Sequence, residues 1–483
     1  MWNFYTVYVK ITYYTLILAE ILILNHNFSI VFTPCTAAAG RNVSFLFIIA
    51  VGKVMESMVI RPKVSELGEK LRLVCVPAED FKTSQISVSL LVPRSINLAE
   101  NIIIPKYLTY SSKDYPNPAA LSAQLENLYG AFVNGSVIRR GESSKIELGA
   151  TCINNKFALD NEDISYKTLE LVLKLLFEPC TDGKKFDKQK FELVKRLKIE
   201  DIESEVNDKR QYAFTRMIEN MCRDEVFGIT KEEILEDMHK SDESSAYTAW
   251  QELLKNATVQ INLIGAFDEE KSKQLIEKHF SAVERKPLKN ETVFVERAED
   301  VTEVTEEMDI NQSKLVIGYR SGMKSKDDNF YAYQMMVDIF GGGPYSRLFM
   351  NVREKLSLCY YCSARLFKEK GIIVIQSGIE SDNKQKALDE IAKQLEIMKK
   401  GEFEEKDFIA SKTAICDSLR GVCDTPDGID AFLNTKLDEP IIPLEEIIEN
   451  YEKVTREDII AAANAITLDT IYMLKGKEGG CDE

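Results

Sequence analysis

From Val59 onward the chain alternates segments of strand period with segments of helical period. Leu71–Pro77 and Ser87–Pro93 are β-rich runs on either side of a polar Glu79–Thr83 turn, which predicts a hairpin. Within Pro118–Phe132, Leu121, Leu125 and Leu128 fall at i, i+4 and i+7, the stripe of an amphipathic helix that ends near Gly130. Charged helical patterns follow over Tyr166–Phe177, Asp187–Glu219 and Lys231–Leu254. Ala257–Ile264 then returns to strand, and Glu269–Phe280 closes the first half as a helix.

A charged stretch without a helical stripe, Pro287–Thr305, predicts a linker over residues 285–305. Beyond it the plan repeats in element order, with negligible sequence identity. Lys314–Tyr319 is strand-like, Asn329–Phe340 helical and Gly371–Ser377 strand-like; Lys384–Lys400 and Lys406–Leu419 are helical, and Thr470–Leu474 is a last strand. The expected fold class is therefore α+β. Residues 58–284 form one such domain and 306–478 a second, each with an antiparallel-rich sheet and helices.

Residues 1–57 do not share this patterning. They are rich in Tyr, Ile, Leu and Phe, and the apolar run Ile11–Leu24 is broken by Glu20 and falls short of the roughly 20 residues a membrane span needs. No stable membrane span is expected. Thr36–Ala39 after the run imitates a signal-peptide cleavage region, but a further apolar run, Ser44–Val51, has no place in that scheme. Met55 and Met58 stand just before the globular pattern begins, so the extension is read as a gene-model artefact.

Composition narrows the function classes. The chain has 483 residues and a formal net charge of -16, with 61 basic against 77 acidic residues and no dense basic patch, so nucleic acid is not an expected partner. Its 10 cysteines lack the tight spacing of a disulfide framework, which fits a reducing cytoplasm. Cys359 and Cys362 form a lone CxxC without the second pair a structural zinc site requires.

Histidine is scarce. The chain has 3, His26, His239 and His279, so neither HExxH nor HxxEH can be written, and zinc hydrolysis in that form needs two imidazoles one helical turn apart. His239 and His279 fall on charged helical patterns and read as solvated surface residues. A serine or cysteine triad lacks its base for the same reason, since no histidine sits in a recognisable motif. Gly341–Gly343 is not followed by the Lys of a phosphate loop and reads as a helix-entry turn, with Ser346 as its N-cap.

Three passages carry more information. They are Thr109–Pro116 with Leu128–Gly135, then Val259–Asp268, and above all Phe340-Gly-Gly-Gly-Pro-Tyr-Ser-Arg-Leu-Phe-Met-Asn-Val-Arg353 with Tyr360 seven residues on. Together they resemble the insulinase/pitrilysin family of zinc peptidases, which includes mitochondrial processing peptidases and bacterial two-subunit members. The resemblance covers nearly everything after Val59. It implies two similar α+β domains that form half of a clam-shell. It also implies that the zinc motif positions are held by Ile102, Ile103, Ile104, Pro105 and Lys106, none of which binds zinc or acts as the base. The family's third ligand aligns with Glu192, which alone is surface charge.

In the family, an Arg and a Tyr at the positions of Arg353 and Tyr360 hold the substrate carbonyl opposite the zinc. Leu348, Phe349, Val352 and Leu356 predict the buried stripe of a helix with Arg353 at its edge, and Leu358 onward reads as strand. A guanidinium and a phenol at that junction can donate hydrogen bonds to a carbonyl or an oxyanion. The resemblance thus implies a non-catalytic subunit that binds no metal or other cofactor. Its partner, a zinc-bearing HxxEH homologue, would form the heterodimer, and an unfolded peptide would be the substrate. A scaffold or peptide-binding homologue without any peptidase partner is the alternative.

Overall fold

The computed structural model describes residues 61–326 and 329–476, together with Phe28–Ser29 and Val51–Gly52, which pair antiparallel. Residues 1–59 make a unit of their own, and residues 11–24 and 44–50, with His26, Met55 and Met58, lie outside the described residues. Everything from Ile60 onward belongs to one second unit. That unit contains two sheets with separate cores.

The first sheet has six strands: β1 (Lys63–Gly68), β2 (Leu71–Pro77), β3 (Thr83–Pro93), β4 (Phe132–Arg140), β5 (Ser143–Ile153) and β6 (Thr258–Gly265). Their spatial order is β1-β2-β6-β3-β5-β4. The expected hairpin between Leu71–Pro77 and Ser87–Pro93 is therefore corrected: β6 lies between them, parallel to β2 and antiparallel to β3. The actual hairpins are β1–β2 and β4–β5, joined by tight turns at Lys70, with φ 45, and Gly141, with φ 57. Short polar connections do join sequential strands in most sheets, but β6 supplies the all-buried central strand that such a hairpin lacks.

Helices α1 (Leu98–Tyr110), α2 (Pro118–Asn127) and α3 (Ile164–Phe177) follow the strands, then α4 (Lys188–Ser204), α5 (Lys209–Met221), α6 (Lys231–Lys240), α7 (Glu243–Asn256) and α8 (Glu269–Phe280). The two long helices expected from the charge pattern are each divided by a capping aspartate. Asp208 accepts from the Arg210 and Gln211 amides, both at 3.0 Å, and starts α5; Asp242 accepts from the Ser244 and Ser245 amides and starts α7. α2 ends at Asn127, and Phe132 already begins β4.

The second sheet runs β9-β10-β8-β11-β7, with β7 (Thr302–Met308), β8 (Ser313–Arg320), β9 (Cys359–Phe367), β10 (Ile372–Ile379) and β11 (Thr467–Gly476). Its helices are α9 (Phe330–Gly341), α10 (Lys384–Lys400), α11 (Glu405–Gly421), α12 (Pro426–Asn434), α13 (Leu444–Lys453) and α14 (Arg456–Ala465). β7 corrects the end of the expected linker. Thr302 to Met308 pair parallel with β11 from Thr470 to Gly476, as a half-exposed edge strand whose acidic composition imitates a tether.

Each half covers the outer face of the other's sheet. α5, from the first half, lays Phe214, Met217, Ile218 and Met221 against Val316, Ile372, Val374, Tyr472 and Leu474 of the second sheet. Gly318 in β8 makes the approach possible: a Cβ there would stand 2.6 Å from the Met221 Sδ and 2.9 Å from the Met217 Sδ. In return α12, from the second half, covers the first sheet with polar groups. Asp430 accepts from Ser87 Oγ at 2.5 Å and Asn262 Nδ2 at 2.8 Å, and Ser89 Oγ donates to Asn434 Oδ1 at 2.9 Å.

Buried ion pairs fasten the exchange. Lys370, in the β9–β10 turn, has a side chain with no exposed surface and pairs with Glu142 at 2.6 Å and with Glu225, both from the first half. Arg320 bridges Glu225 at 2.8 Å and Asp469 at 2.6 Å. Burial alone would push the Glu225 carboxyl up, yet Lys370 and Arg320 outweigh it and hold it below its usual range.

Two stability measurements follow. Lys370→Ala leaves the buried Glu142 without its cation and Glu225 with Arg320 alone, so urea unfolding should show a loss of about 3–5 kcal/mol. Burial raises the Asp430 carboxyl from 3.8 to about 6. The folded chain therefore holds this proton more tightly than the unfolded one. Its contribution is greatest below pH 4 and declines as the pH rises through about 6. Asp430→Asn should remove that slope from a plot of stability against pH.

Candidate functional site

The helix at the expected metal position is α1. It carries Ile102, Ile103 and Ile104 into the core of the first sheet, with Ile102 only 8% exposed. Pro105 is buried in the helix interior, where proline ordinarily costs about 3 kcal/mol because it removes a helical N–H and crowds the preceding turn. Here the tight packing of that turn on β4 accommodates it. A Cβ at Gly135 would lie 2.2 Å from the Pro105 carbonyl oxygen, so only glycine lets α1 and β4 meet at this spacing. Lys106 points outward and is exposed.

Glu192 sits on α4 with 45% of its side chain exposed and pairs with Lys195 at 3.0 Å. Three apolar core residues, a proline, an exposed ammonium and an ion-paired glutamate do not fit zinc, which takes imidazole, thiolate or free carboxylate. Among the described residues no group of three or more His, Cys, Asp and Glu side chains is placed to hold a metal ion. Cys359 and Cys362 are buried free thiols. His239 is exposed on α6, as the pattern suggested. His279 is half-buried: its ring packs 5.3 Å from Phe177, and burial lowers its pKa.

The second candidate pair lies on irregular backbone. Phe349–Lys355 forms a π-helical turn, entered from Ser346, whose hydroxyl accepts from the Phe349 amide at 3.4 Å. Leu348 and Val352 are buried and Phe349 half-buried, but Leu356 is exposed, against expectation. A π turn holds more residues than an α turn, so the position four beyond Val352 no longer returns to the buried face. The Leu356 amide reaches the Asn351 carbonyl at 3.2 Å, and Ser357, at φ 50, reverses the chain into β9.

Arg353 stands on this turn with its side chain 40% exposed, stacked 4.5 Å over the Phe349 ring and 3.5 Å from Glu354. Tyr360 is the extra residue of a β-bulge: Cys359 pairs with Ile379 and Tyr361 with Gly378, which leaves Tyr360 unpaired and 65% exposed. Bulges re-aim a side chain out of the pleat. Both side chains are hydrogen-bond donors that the fold leaves accessible. The family resemblance points to the two residues, but neither the π turn nor the bulge that presents them has a periodic signature in the sequence.

Fold and site together define a two-sheet α+β chain of metallopeptidase type in which α1, where the resemblance expects the metal, is filled by core residues. The profile of the family described as "Peptidase M16 inactive domain" matches residues 245–415. The "Probable inactive metalloprotease YmfF" of Bacillus subtilis (strain 168) is 32% identical over 421 residues, 86% of this chain and 99% of that protein. This chain belongs to the M16, or insulinase-type, peptidase family, as a homologue of an inactive metalloprotease. Two solved structures share its fold. A conserved protein from Enterococcus faecalis V583 matches with a TM-score of 0.77 at 23% identity, over 87% of this chain and 99% of its own. The peptidase M16 inactive domain from Pseudomonas fluorescens matches with a TM-score of 0.69 at 13% identity, over 88% and 100%.

The contact between α1 and β4 can be tested directly. Gly135→Ala should destabilise the chain by about 1–3 kcal/mol, because the new methyl group has to displace the Pro105 carbonyl. Chemical denaturation of the variant beside the parent chain measures it.

Proposed function

We propose that this chain is the non-catalytic subunit of a heterodimeric zinc peptidase, in which it binds peptide and completes the site of a zinc-bearing HxxEH partner. The observation that carries this reading is the contrast between the two candidate positions. Ile102 and Pro105 are absorbed into the core, whereas Tyr360 is exposed on a bulge and Arg353 half-exposed on a π turn. In this reading the chain is half of a clam-shell around an unfolded peptide. The Arg353 guanidinium and the Tyr360 hydroxyl donate hydrogen bonds to the scissile carbonyl, and more strongly to the oxyanion that forms from it. Metal, attacking water and general base all come from the partner. The described cysteines are free thiols, which supports placing the pair in a reducing cytoplasm.

The test is reconstitution. The chain alone should cleave no unfolded peptide, and mixed with its HxxEH partner it should form an active pair. Arg353→Ala should then lower kcat/KM about 100-fold or more, the usual loss on removing one oxyanion donor, with the heterodimer intact by size-exclusion chromatography. Tyr360→Phe should lower it as well. Unchanged turnover with Arg353→Ala would sink the proposal. A chain that purifies as a homodimer and recruits no zinc-bearing homologue would instead favour the scaffold reading.

A further inference from the structure

The turn between β3 and α1 buries a cation that lacks a counterion. Arg94 follows β3 directly, and its amide donates to the Glu142 carbonyl at 2.8 Å, which fixes it against the β4–β5 turn. The residue is 8% exposed, and its Nε is closed off from water without any hydrogen-bond partner. No described ion pair neutralises it. The charged neighbour it does have is Arg139, of the same sign; burial first and Arg139 second lower the Arg94 pKa to about 10. Arg139 donates one N–H to the Phe227 carbonyl at 2.9 Å and stacks 4.1 Å from that ring, so it offers Arg94 no relief. Unpaired buried charge is among the costliest features a fold can carry, and where it persists a missing partner is the first explanation.

A second observation lies in the same cleft, a cavity of about 310 Å³ that Arg94 shares with the first turn of α1. Asn97, at the N-cap, is left-handed at φ 48 and makes no capping bond; its side-chain amide donates to Glu252 at 2.7 Å instead. The first amides of this 13-residue helix therefore receive no side-chain acceptor. The carboxylates nearby are already engaged. Glu100 accepts from the Ser241 and Ser245 hydroxyls at 2.8 and 3.1 Å, and Asp237 pairs with Lys240 at 3.2 Å.

We infer that this cleft binds a small oxyanion, the terminal group of a phosphate or a carboxylate, between the Arg94 guanidinium and the open N-terminus of α1. Helix N-termini bind anions through their free amides and dipole, and a bidentate guanidinium supplies the neutralising charge. The occupant caps the helix that carries Ile102 and Pro105. Nothing in this depends on a peptidase partner.

Thermal unfolding of the full chain in sodium phosphate, sodium acetate and sodium chloride at matched ionic strength tests the site. At least one oxyanion should raise Tm saturably by a few degrees above chloride, and the effect should vanish in Arg94→Met. A larger rise with phosphate assigns the site to phosphate groups, and a larger rise with acetate assigns it to carboxylates. In chloride alone Arg94→Met should be at least as stable as the parent chain, because it removes an uncompensated charge; an arginine with a purely structural role would give the opposite. Titration calorimetry of the parent chain with inorganic phosphate or acetate gives a reading that does not depend on the variant folding. No rise above chloride with either oxyanion, an undiminished rise in Arg94→Met, or no binding heat with either would overturn the inference.

Discussion

Lys370 has no exposed side-chain surface and lies between two carboxylates from the opposite half of the chain. An ammonium that deep is tolerable only because Glu142 and Glu225 reach it, and Glu225 is in turn shared with Arg320. The arrangement locks the β9–β10 turn onto the first half. That turn closes the hairpin whose other end is the Tyr360 bulge, so the charge cluster anchors one end of the hairpin that carries Tyr360. The exchanged helices act in the same sense. With α5 on the second sheet and α12 on the first, neither half keeps its own outer face covered without the other.

The two covered faces use different chemistry. The outer face of the second sheet is apolar, and α5 meets it with methionine and phenylalanine, flexible enough to fill the gap over Gly318. The outer face of the first sheet presents Ser87, Ser89, Gln260 and Asn262, and α12 meets it with Asp430, Asn434 and the Leu433 carbonyl. Hydrogen bonds between such groups demand angles and distances that apolar contact does not. The second interface thus contributes mainly burial, and the first fixes orientation, at the cost of a carboxyl whose pKa burial raises to about 6.

Much of the fold is legible in the sequence, because most elements have a period and a cap. The stripe Leu121, Leu125 and the pattern of Lys384–Lys400 become helices, with Leu128 as the C-cap of the first, and Leu71–Pro77 becomes a strand. What period cannot show is order in space. The hairpin expected around Glu79–Thr83 fails because β6, far away in sequence, enters between its strands. The outer face that carries Ser87, Ser89 and Asn262 is covered by a helix from the other half. At the site, Arg353 and Tyr360 are singled out by the family resemblance and not by their own pattern, and the π turn between Phe349 and Lys355 looks in sequence like an ordinary helix. Arg94 carries no signal at all until burial shows that nothing neutralises it.

The two candidate positions differ in what the fold gains from them. Ile102, Ile103 and Ile104 bury apolar surface worth about 1.5–3 kcal/mol for each fully buried side chain, and the Pro105 carbonyl is matched to Gly135. Their identity is explained by packing alone. Tyr360 buries little and Arg353 is half-exposed, and the backbone under them departs from regular geometry twice within a few residues. π-helical turns and bulges give up regular hydrogen bonding, and they concentrate where a side chain must be aimed at something outside the fold. The core accounts for the residues at the metal position. It does not account for the backbone under Arg353 and Tyr360, which the proposed reading explains by a peptide carbonyl presented from outside.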